Sequence, residues 1–184
     1  MDFGFLRASS NSYKKLKNES QVVQSHDGFT SYLLIVDTAT CFCWMFPTTS
    51  KSPPIDIIDQ FFTSQKILDG YCCVFTDQGG KLHCSHKFRA IVAKHHYLPL
   101  TTGSNSPHQN GLCECLNLTF GIKVRALLYS SGLPASYWSD ALSHSVYLYN
   151  RLYHSALHMT PIEAYTGLKP DLTHLQTFGS RVFA

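Results

Sequence analysis

The stretch Tyr71-Cys72-Cys73-Val74-Phe75-Thr76-Asp77-Gln78-Gly79-Gly80 decides the fold class. Residues 71–76 favour β-structure and show no apolar–polar alternation, which predicts a central strand covered on both faces. Asp77 ends this run, and two glycines follow closely. Taken alone, the pattern is also that of an ordinary turn after a strand. It becomes a candidate site only when other acids are brought to the same strand end.

Two further stretches supply such acids. Glu114 ends the segment Pro107-His108-Gln109-Asn110-Gly111-Leu112-Cys113-Glu114, with residues 78–113 between it and Asp77. Asp2 lies in Met1-Asp2-Phe3-Gly4. Carboxylates gathered at strand ends and on a helix can bind hard divalent cations, and two such ions can hold the attacking and leaving oxygens of a phosphodiester. Local alternatives are a helix-dipole role for Glu114 and a terminal polar residue for Asp2.

Composition indicates one packed domain. The chain has 184 residues, 44% of them hydrophobic, and its 12 Phe and 10 Tyr residues suit a globular core rather than disorder. The formal charge of +3 is only mildly basic and is weak evidence for a nucleic-acid partner. Seven cysteines without the spacing of a secreted framework predict a reducing, intracellular location. We expect no membrane partner, because no apolar run approaches the roughly 20 residues of a bilayer span.

The first half of the chain predicts three strands followed by a helix. The strands are Asp2 to Leu6, Ser31 to Val36 and Cys41 to Thr48, with a polar loop over residues 9–28. The helix is expected to begin with Ser52 as N-cap and Pro53 at its first position, and to stop at Asp69-Gly70.

The second half predicts further helices around one short strand. After the strand over residues 71–76, Ser85 caps a helix that runs to His96, and Leu98-Pro99-Leu100 forms a strand. A mobile loop over residues 101–109 precedes long helices at about 110–130 and 134–152. The last expected elements are a short helix capped by Thr160 and ended by Gly167, and an edge strand over residues 178–183. This order implies an α/β fold with a mixed sheet and helices on its faces.

Taken together, these stretches resemble the catalytic core of retroviral-type integrases, specifically those of Ty1/Copia-type LTR retrotransposons. The resemblance covers nearly all 184 residues, and the order of its motifs is more specific than any one of them. Besides the stretches around Asp2, Asp77 and Glu114, the matching motifs are Tyr32-Leu33-Leu34-Ile35-Val36-Asp37, Gly132-Leu133-Pro134, Tyr137-Trp138, Asn150-Arg151, Thr160-Pro161, Glu163-Ala164, His174-Leu175 and Phe178-Gly179.

The resemblance implies an RNase H-like (ribonuclease H) fold with a mixed five-stranded sheet flanked by helices. The whole chain, residues 1–184, would be an integrase catalytic core, with about 1–165 as the RNase H-like part and about 166–184 as a C-terminal extension. It also implies a DDE triad of Asp2, Asp77 and Glu114 that serves as both the catalytic and the metal-binding set. Asp37 is the alternative first acid, but the family has a non-catalytic Asp in that turn.

The implied cofactor is Mg²⁺, with two ions per site and Mn²⁺ as a substitute. The resemblance further implies DNA integration: a polynucleotidyl transferase that processes the 3′ ends of the element DNA and joins them to target DNA. Its partners would be double-stranded DNA and further copies of the chain, in the nucleus if the host is eukaryotic. We expect no zinc within this chain, because the Cys and His residues lack paired zinc-site spacing.

Five residues are expected to contact nucleic acid, through phosphates for the most part. They are Lys81, Gln109, Asn110, Asn117 and Arg125. Asn117 lies three residues after Glu114, on the same helix face, where it would orient Glu114 or touch DNA.

The chain also departs from its relatives, which leaves an alternative function open, although the triad itself is intact. Cys115 stands where relatives usually carry Arg, Lys81 stands at a usually acidic place, and Leu118 and Gly121 bring no cation to the Glu114 face. The alternative is therefore a catalytically inactive, element-derived domain that binds nucleic acid or a protein.

Overall fold

The structure of the protein, a computed structural model, describes residues 1–4, 6, 22–50, 52–65, 72–77, 81–102 and 107–181. Within these ranges, the side chains of residues 77, 102 and 107–110 are not described. The first three strands are β1 (Asp2–Gly4), β2 (Ser31–Val36) and β3 (Cys43–Thr48), which form an antiparallel sheet in the order β1-β2-β3. Asp2 pairs with Leu34 and Gly4 pairs with Tyr32.

Two further strands form a parallel pair. These are β4 (Cys72–Asp77) and β5 (Tyr97–Thr102), in a register that places Asp77 beside Thr102. The helix α2 (His86–Lys94) lies between them in sequence and packs on β5, as in a βαβ crossover.

The described strands form sheets of three and two strands, so the expected single five-stranded mixed sheet is not confirmed. The two sheets nevertheless meet at one point, where the Met1 amino nitrogen donates to the Phe75 carbonyl oxygen at 2.8 Å. One hydrogen bond at the start of a three-residue strand is too little to count as a ladder. It does bring the beginning of β1 beside β4.

Helices cover the strands. They are α1 (Ile55–Ser64), α2, the long α3 (Pro107–Ser131), α4 (Trp138–Arg151) and α5 (Pro161–Thr166), with a 3₁₀ turn over Ala135–Tyr137 before α4. Among the helices in the described ranges, none is both long enough and apolar enough to cross a bilayer.

The core has two halves, and β2 divides them. Tyr32 and Leu34 point into a cluster with residues of α3 and α4, whereas Leu33 and Ile35 point into a cluster with residues of α1 and α2. This alternation follows from the two-residue period of a strand. Because both faces of β2 are buried, the molecule has three layers, which accounts for the continuous apolar run of that strand.

Several element ends differ from the predicted ones. α1 begins at Ile55 with Pro54 as its N-cap and no side-chain cap, so the prediction of Ser52 as cap and Pro53 as first helical residue is wrong. Pro53 precedes another proline, and a residue in that position is disfavoured in the helical region. The predicted stop at Asp69-Gly70 lies outside the described residues.

Other ends shift for equally local reasons. α2 does begin with Ser85 as its cap, the side chain accepting from the Phe88 N–H, but it ends at Lys94 because His96 has a positive φ of 61°. The predicted loop over residues 101–109 is wrong at both described ends, since β5 reaches Thr102 and α3 begins at Pro107. Proline suits the first position of a helix.

The chain's last part departs from prediction in one place. α5 begins with Thr160 as its cap, the Thr160 hydroxyl accepting from the Glu163 N–H, and ends at Gly167 with a φ of 77°, as predicted. Residues 178–179 lie in a turn and residues 180–181 belong to no regular element, so the described part of the predicted edge strand is wrong; residues 182–183 lie outside the described residues.

Candidate active site

Asp2 is held by contacts to both of its carboxylate oxygens. The backbone N–H of Phe3 donates to Oδ1 at 2.7 Å, and Nδ2 of Asn117 donates to Oδ2 at 3.1 Å. The second contact spans 115 positions in sequence and joins β1 to α3. Each oxygen of a carboxylate can accept more than one bond.

Asn117 is itself fixed from behind by Tyr32. The Tyr32 hydroxyl donates to Asn117 Oδ1 at 3.1 Å, and the tyrosine is only 5% exposed. Burial, and secondarily the charge of Asp2, raises the pKa of Tyr32 to about 12. The role of Asn117 toward Glu114 or DNA stays a prediction; the described contact of its amide nitrogen is to Asp2.

A glycine makes room for this tyrosine. A Cβ atom placed on Gly4 would lie 2.1 Å from Tyr32 Cζ and 2.2 Å from its hydroxyl oxygen. The ring of Tyr32 therefore crosses the backbone of β1 at a position where only a residue without a side chain fits.

Asp77 reaches the same region through the strands. It is the last residue of β4, two residues beyond Phe75, whose carbonyl binds the Met1 amino group next to Asp2. The Asp77 side chain, like residues 78–80, lies outside the described part of the structure. Neighbouring backbone segments carry Asp2 and Asp77.

Glu114 is an exposed residue of α3, one helical turn before Asn117. The helix contacts β1, β4 and β5. Since Asn117 binds Asp2 directly, the turn of α3 that carries Glu114 is adjacent to β1. The elements bearing all three predicted acids thus converge.

Asp37, the alternative first acid, has a different set of contacts. It follows β2, and its carboxylate accepts from the N–H groups of Ala39 and Thr40 and from the Thr40 hydroxyl. Aspartate commonly closes turns in this way. This turn accounts for Asp37 without a catalytic role.

The residues predicted to contact nucleic acid belong to α3 and to the turn before α2. Lys81 is exposed in the turn over residues 81–84, and Arg125 is exposed on α3. A Cβ on Gly121 would meet the Arg125 guanidinium nitrogens at 3.9 Å, so the glycine leaves space beside that cation. Gln109 and Asn110 belong to the first turn of α3 and not to a loop; their side chains lie outside the described part of the structure.

Sequence reasoning missed one group of possible metal ligands. Among the described side chains, His26, Asp27 and Asp140 bring ligand atoms within 4.8 Å of one another, and all three residues are exposed. The His26 ring also stacks on Tyr137, with 4.5 Å between centroids. No sequence spacing could reveal this group, because Asp140 belongs to α4, far along the chain from His26.

Sequence comparison places the chain among transposon polyproteins. It is 27% identical over 166 residues to the retrovirus-related Pol polyprotein from transposon RE1 of Arabidopsis thaliana, covering 87% of this chain and 11% of the relative. The corresponding protein from transposon TNT 1-94 of Nicotiana tabacum is 27% identical over 169 residues, covering 88% of this chain and 12% of the relative. No family model matches the chain.

Structural comparison gives the fold. The HTLV-2 integrase catalytic core domain in complex with magnesium, in its trimeric form, superposes with a TM-score of 0.53 at 19% identity, covering 73% of this chain and 84% of that one. The catalytic core domain of BIV integrase gives 0.57 at 15% identity, covering 74% and 86%. A simian T-cell lymphotropic virus intasome, in complex with the PP2A regulatory subunit B56 gamma, gives 0.62 at 16% identity, covering 84% and 56%.

The chain is a relative of Copia-type Pol polyproteins with the fold of an integrase catalytic core. The predicted resemblance and the RNase H-like fold are thereby confirmed. The chain spans only about a tenth of the length of these polyprotein relatives.

Proposed function

We propose that this chain is the catalytic core of an integrase that performs DNA integration. The observation that supports it most is the bond from Asn117 to Asp2, which joins the helix carrying Glu114 to the strand carrying Asp2. Relationship to integrase cores supports the general activity. The finer proposal is a polynucleotidyl transferase that trims the 3′ ends of element DNA and joins them to target DNA.

The site residues fit a divalent cation. Asp2, Asp77 and Glu114 would hold Mg²⁺, or Mn²⁺ in its place, because hard cations prefer carboxylate oxygens. Asp2 is already oriented by Asn117 and Phe3, as metal-binding carboxylates are in other proteins. The HTLV-2 core among the structural neighbours was solved with magnesium, which supports the choice of metal. We propose two ions per site, as in other phosphodiester-cleaving centres.

Bound metal supplies charge neutralisation at the scissile phosphate and activation of the attacking oxygen. The chain's own residues position the reacting groups. Asp2 and Glu114 gather on adjoining elements, and the Tyr32–Asn117 pair limits the rotation of the Asp2 carboxylate. Positioning and electrostatics carry most of the catalysis in phosphoryl transfer, so no covalent enzyme intermediate is needed.

Lys81 and Arg125 would bind DNA phosphates on either side of this centre, and Gln109, Asn110 and Asn117 would lie near the DNA end. Binding through phosphates depends strongly on salt and reads little sequence. We propose that the active form is an oligomer, because joining two DNA ends needs more than one active site. Structural neighbours that are trimeric or part of an intasome support this. The proposed location is intracellular, in the nucleus of a eukaryotic host.

One observation favours the second candidate, an inactive domain that binds nucleic acid or protein. Leu118, Ile122 and Tyr129 are 65%, 55% and 92% exposed on α3 and lie on the helix face of Glu114. An apolar stripe suits a protein partner better than a phosphate backbone. In that case Asp2, Asp77 and Glu114 would be present in the chain but would not support catalysis.

Labelled duplex DNA tests the proposal. The protein is incubated with Mg²⁺ or Mn²⁺, and nicked and strand-transfer products are separated on denaturing gels. We expect metal-dependent products that fall at least about 100-fold in Asp77→Asn and Glu114→Gln. Asp37→Asn is the matched control and should retain activity. Activity that survives both triad changes, or is lost only in Asp37→Asn, would refute the site assignment.

Salt dependence of DNA binding tests the cationic surface separately. Lys81→Ala and Arg125→Ala should each weaken binding to any duplex sequence and lower the slope of log K against log salt by about 1. Lys87→Ala, an exposed cation of α2 outside the proposed surface, is the control and should leave the slope unchanged. Equal salt slopes in all three variants would show that DNA binds a surface other than the one with Lys81 and Arg125.

A further inference from the structure

Tyr32 holds the Asn117 amide from the side opposite Asp2. An asparagine side chain presents an oxygen acceptor at one end and an NH₂ donor at the other. The Tyr32 hydroxyl donates to Oδ1, which leaves Nδ2 to donate to Asp2. In the opposite orientation Oδ1 would face the Asp2 carboxylate, and two acceptors would repel. The carboxylate therefore selects the amide orientation, and the Tyr32 hydroxyl, which can donate or accept, matches that orientation by donating to Oδ1.

The phenol is a dependable donor. Its ordinary pKa of 10.0 already keeps it protonated across the neutral range, and burial and the Asp2 charge raise the pKa further, to about 12. The ring is buried and tilted against Trp138, with 6.1 Å between ring centroids. Tyr32 also pairs directly with Gly4 across the β1–β2 ladder, where the missing side chain allows the ring to pass over β1.

We propose that Tyr32 is a positioning residue for the metal centre: through Asn117 it holds the Asp2 carboxylate in the orientation that a divalent cation requires, and Gly4 provides the space for it to do so. This inference rests on the proposed function, since it assigns Asp2 to a metal. The buried Tyr32 hydroxyl orients the Asn117 amide, and the amide in turn orients the Asp2 carboxylate.

Direct metal titration of the Tyr32→Phe variant tests this role. Mn²⁺ binding to the purified protein is followed by electron paramagnetic resonance, and DNA nicking is measured over the same metal concentrations. We expect a threefold to tenfold rise in the Mn²⁺ concentration for half-saturation, in both readouts, with nicking recovering at saturating metal. Tyr147→Phe, which removes a hydroxyl on α4 that contacts His174 rather than Asn117, is the matched control and should titrate like the wild type.

A double-mutant cycle separates positioning from packing. In an Asn117→Ala background the contacts from Tyr32 through Asn117 to Asp2 are already lost. Adding Tyr32→Phe should then change the Mn²⁺ concentration for half-saturation less than twofold. A packing effect of the missing hydroxyl would instead persist in that background. Because Phe keeps the ring, the variant should fold, and its circular dichroism and melting curve verify this.

The outcomes distinguish the inference from the function on which it rests. If Tyr32→Phe binds Mn²⁺ as the wild type does, the positioning role is wrong, whether or not the protein acts on DNA. If the wild type binds Mn²⁺ at the triad but produces no nicked or joined DNA, the proposed function fails, while the comparison of half-saturation values still decides the role of Tyr32. If the wild type binds no Mn²⁺, both are wrong.

Discussion

Replacing Gly4 with alanine tests whether the β1–β2 pairing is built around the Tyr32 ring. The added Cβ would lie 2.1 Å from Tyr32 Cζ, 2.2 Å from the hydroxyl oxygen and 2.5 Å from Cε2. Contacts this short cannot persist, so the ring or the strand must move. The ring is buried, with Trp138 nearby and its hydroxyl bound to Asn117, so moving the ring disturbs both of these contacts.

The magnitude follows from two effects. Forcing extra volume into a packed core costs about 1–3 kcal/mol. Displacing the Tyr32 hydroxyl from Asn117 loses a hydrogen bond worth about 0.5–1.5 kcal/mol. We therefore expect Gly4→Ala to lower the free energy of unfolding by about 2–4 kcal/mol, which corresponds to a fall in Tm of about 5–15 °C for a chain of this size.

Urea denaturation followed by circular dichroism measures the change. Gly121→Ala is the matched control, because its Cβ would find only Arg125 side-chain atoms at 3.9 Å and alanine favours a helix over glycine. That variant should gain up to about 1 kcal/mol. In the double variant Gly4→Ala/Tyr32→Leu, a smaller side chain replaces the Tyr32 ring and leaves room for the added Cβ. The free energy of unfolding should therefore fall by less than the sum of the falls in the two single variants. A Gly4→Ala protein within about 0.5 kcal/mol of the wild type would refute the reasoning.

Two further changes test other contacts of the fold. Asn150→Leu should lower the free energy of unfolding by about 2–4 kcal/mol in urea denaturation, because the buried Asn150 amide bonds both the N–H and the carbonyl of Cys43, at 2.9 and 2.8 Å, and leucine leaves both unsatisfied. Asp59→Asn should lower Tm by about 1–3 °C at pH 7 and flatten the fall of Tm below pH 4. Hydrogen bonds from Lys94 and then His95 hold the pKa of Asp59 below its ordinary value of 3.8, so the stabilisation is complete above that value and is lost as the pH falls through the lower, folded pKa.

Each of these changes has its own control. Asn150→Asp keeps an acceptor for the Cys43 N–H but buries a carboxylate against the Cys43 carbonyl oxygen, so at pH 7 it should destabilise at least as much as leucine. Equal stability of the leucine variant and the wild type would contradict the prediction. For the acid profile, Asp56→Asn changes an exposed acid in the same helix and should leave the profile unaltered. A parallel acid profile for Asp59→Asn and wild type would rule out the α1–α2 contact as a source of pH dependence.

Local patterns predicted most of the elements. The bounds of β2, the end of β3 at Thr48 and the caps Ser85 and Thr160 all agree with the structure, since apolar runs and capping side chains act over a few residues. Errors concentrated where two local signals compete. Ser52 and Pro53 look like a helix start until the second proline is considered.

The site was predicted less completely, because its contacts are distant in sequence. Helical spacing placed Asn117 on the face of Glu114, but the choice of Asp2 as its partner depends on how α3 packs on β1 and β2. Tyr32 read only as a core residue of β2. Its hydroxyl acquires a role through Asn117, 85 positions away. The prediction of one five-stranded sheet was not confirmed for a similar reason. The order of strands along the chain does not determine how many hydrogen bonds join β1 to β4.

The central claim is that Asp2, Asp77 and Glu114 form one metal centre, and anomalous diffraction from Mn²⁺-soaked crystals tests it most directly. The account predicts anomalous peaks at about 2 Å from carboxylate oxygens of these three residues, lost in Asp77→Asn. Peaks confined to His26, Asp27 and Asp140, or to no carboxylate of the triad at saturating Mn²⁺, would contradict it.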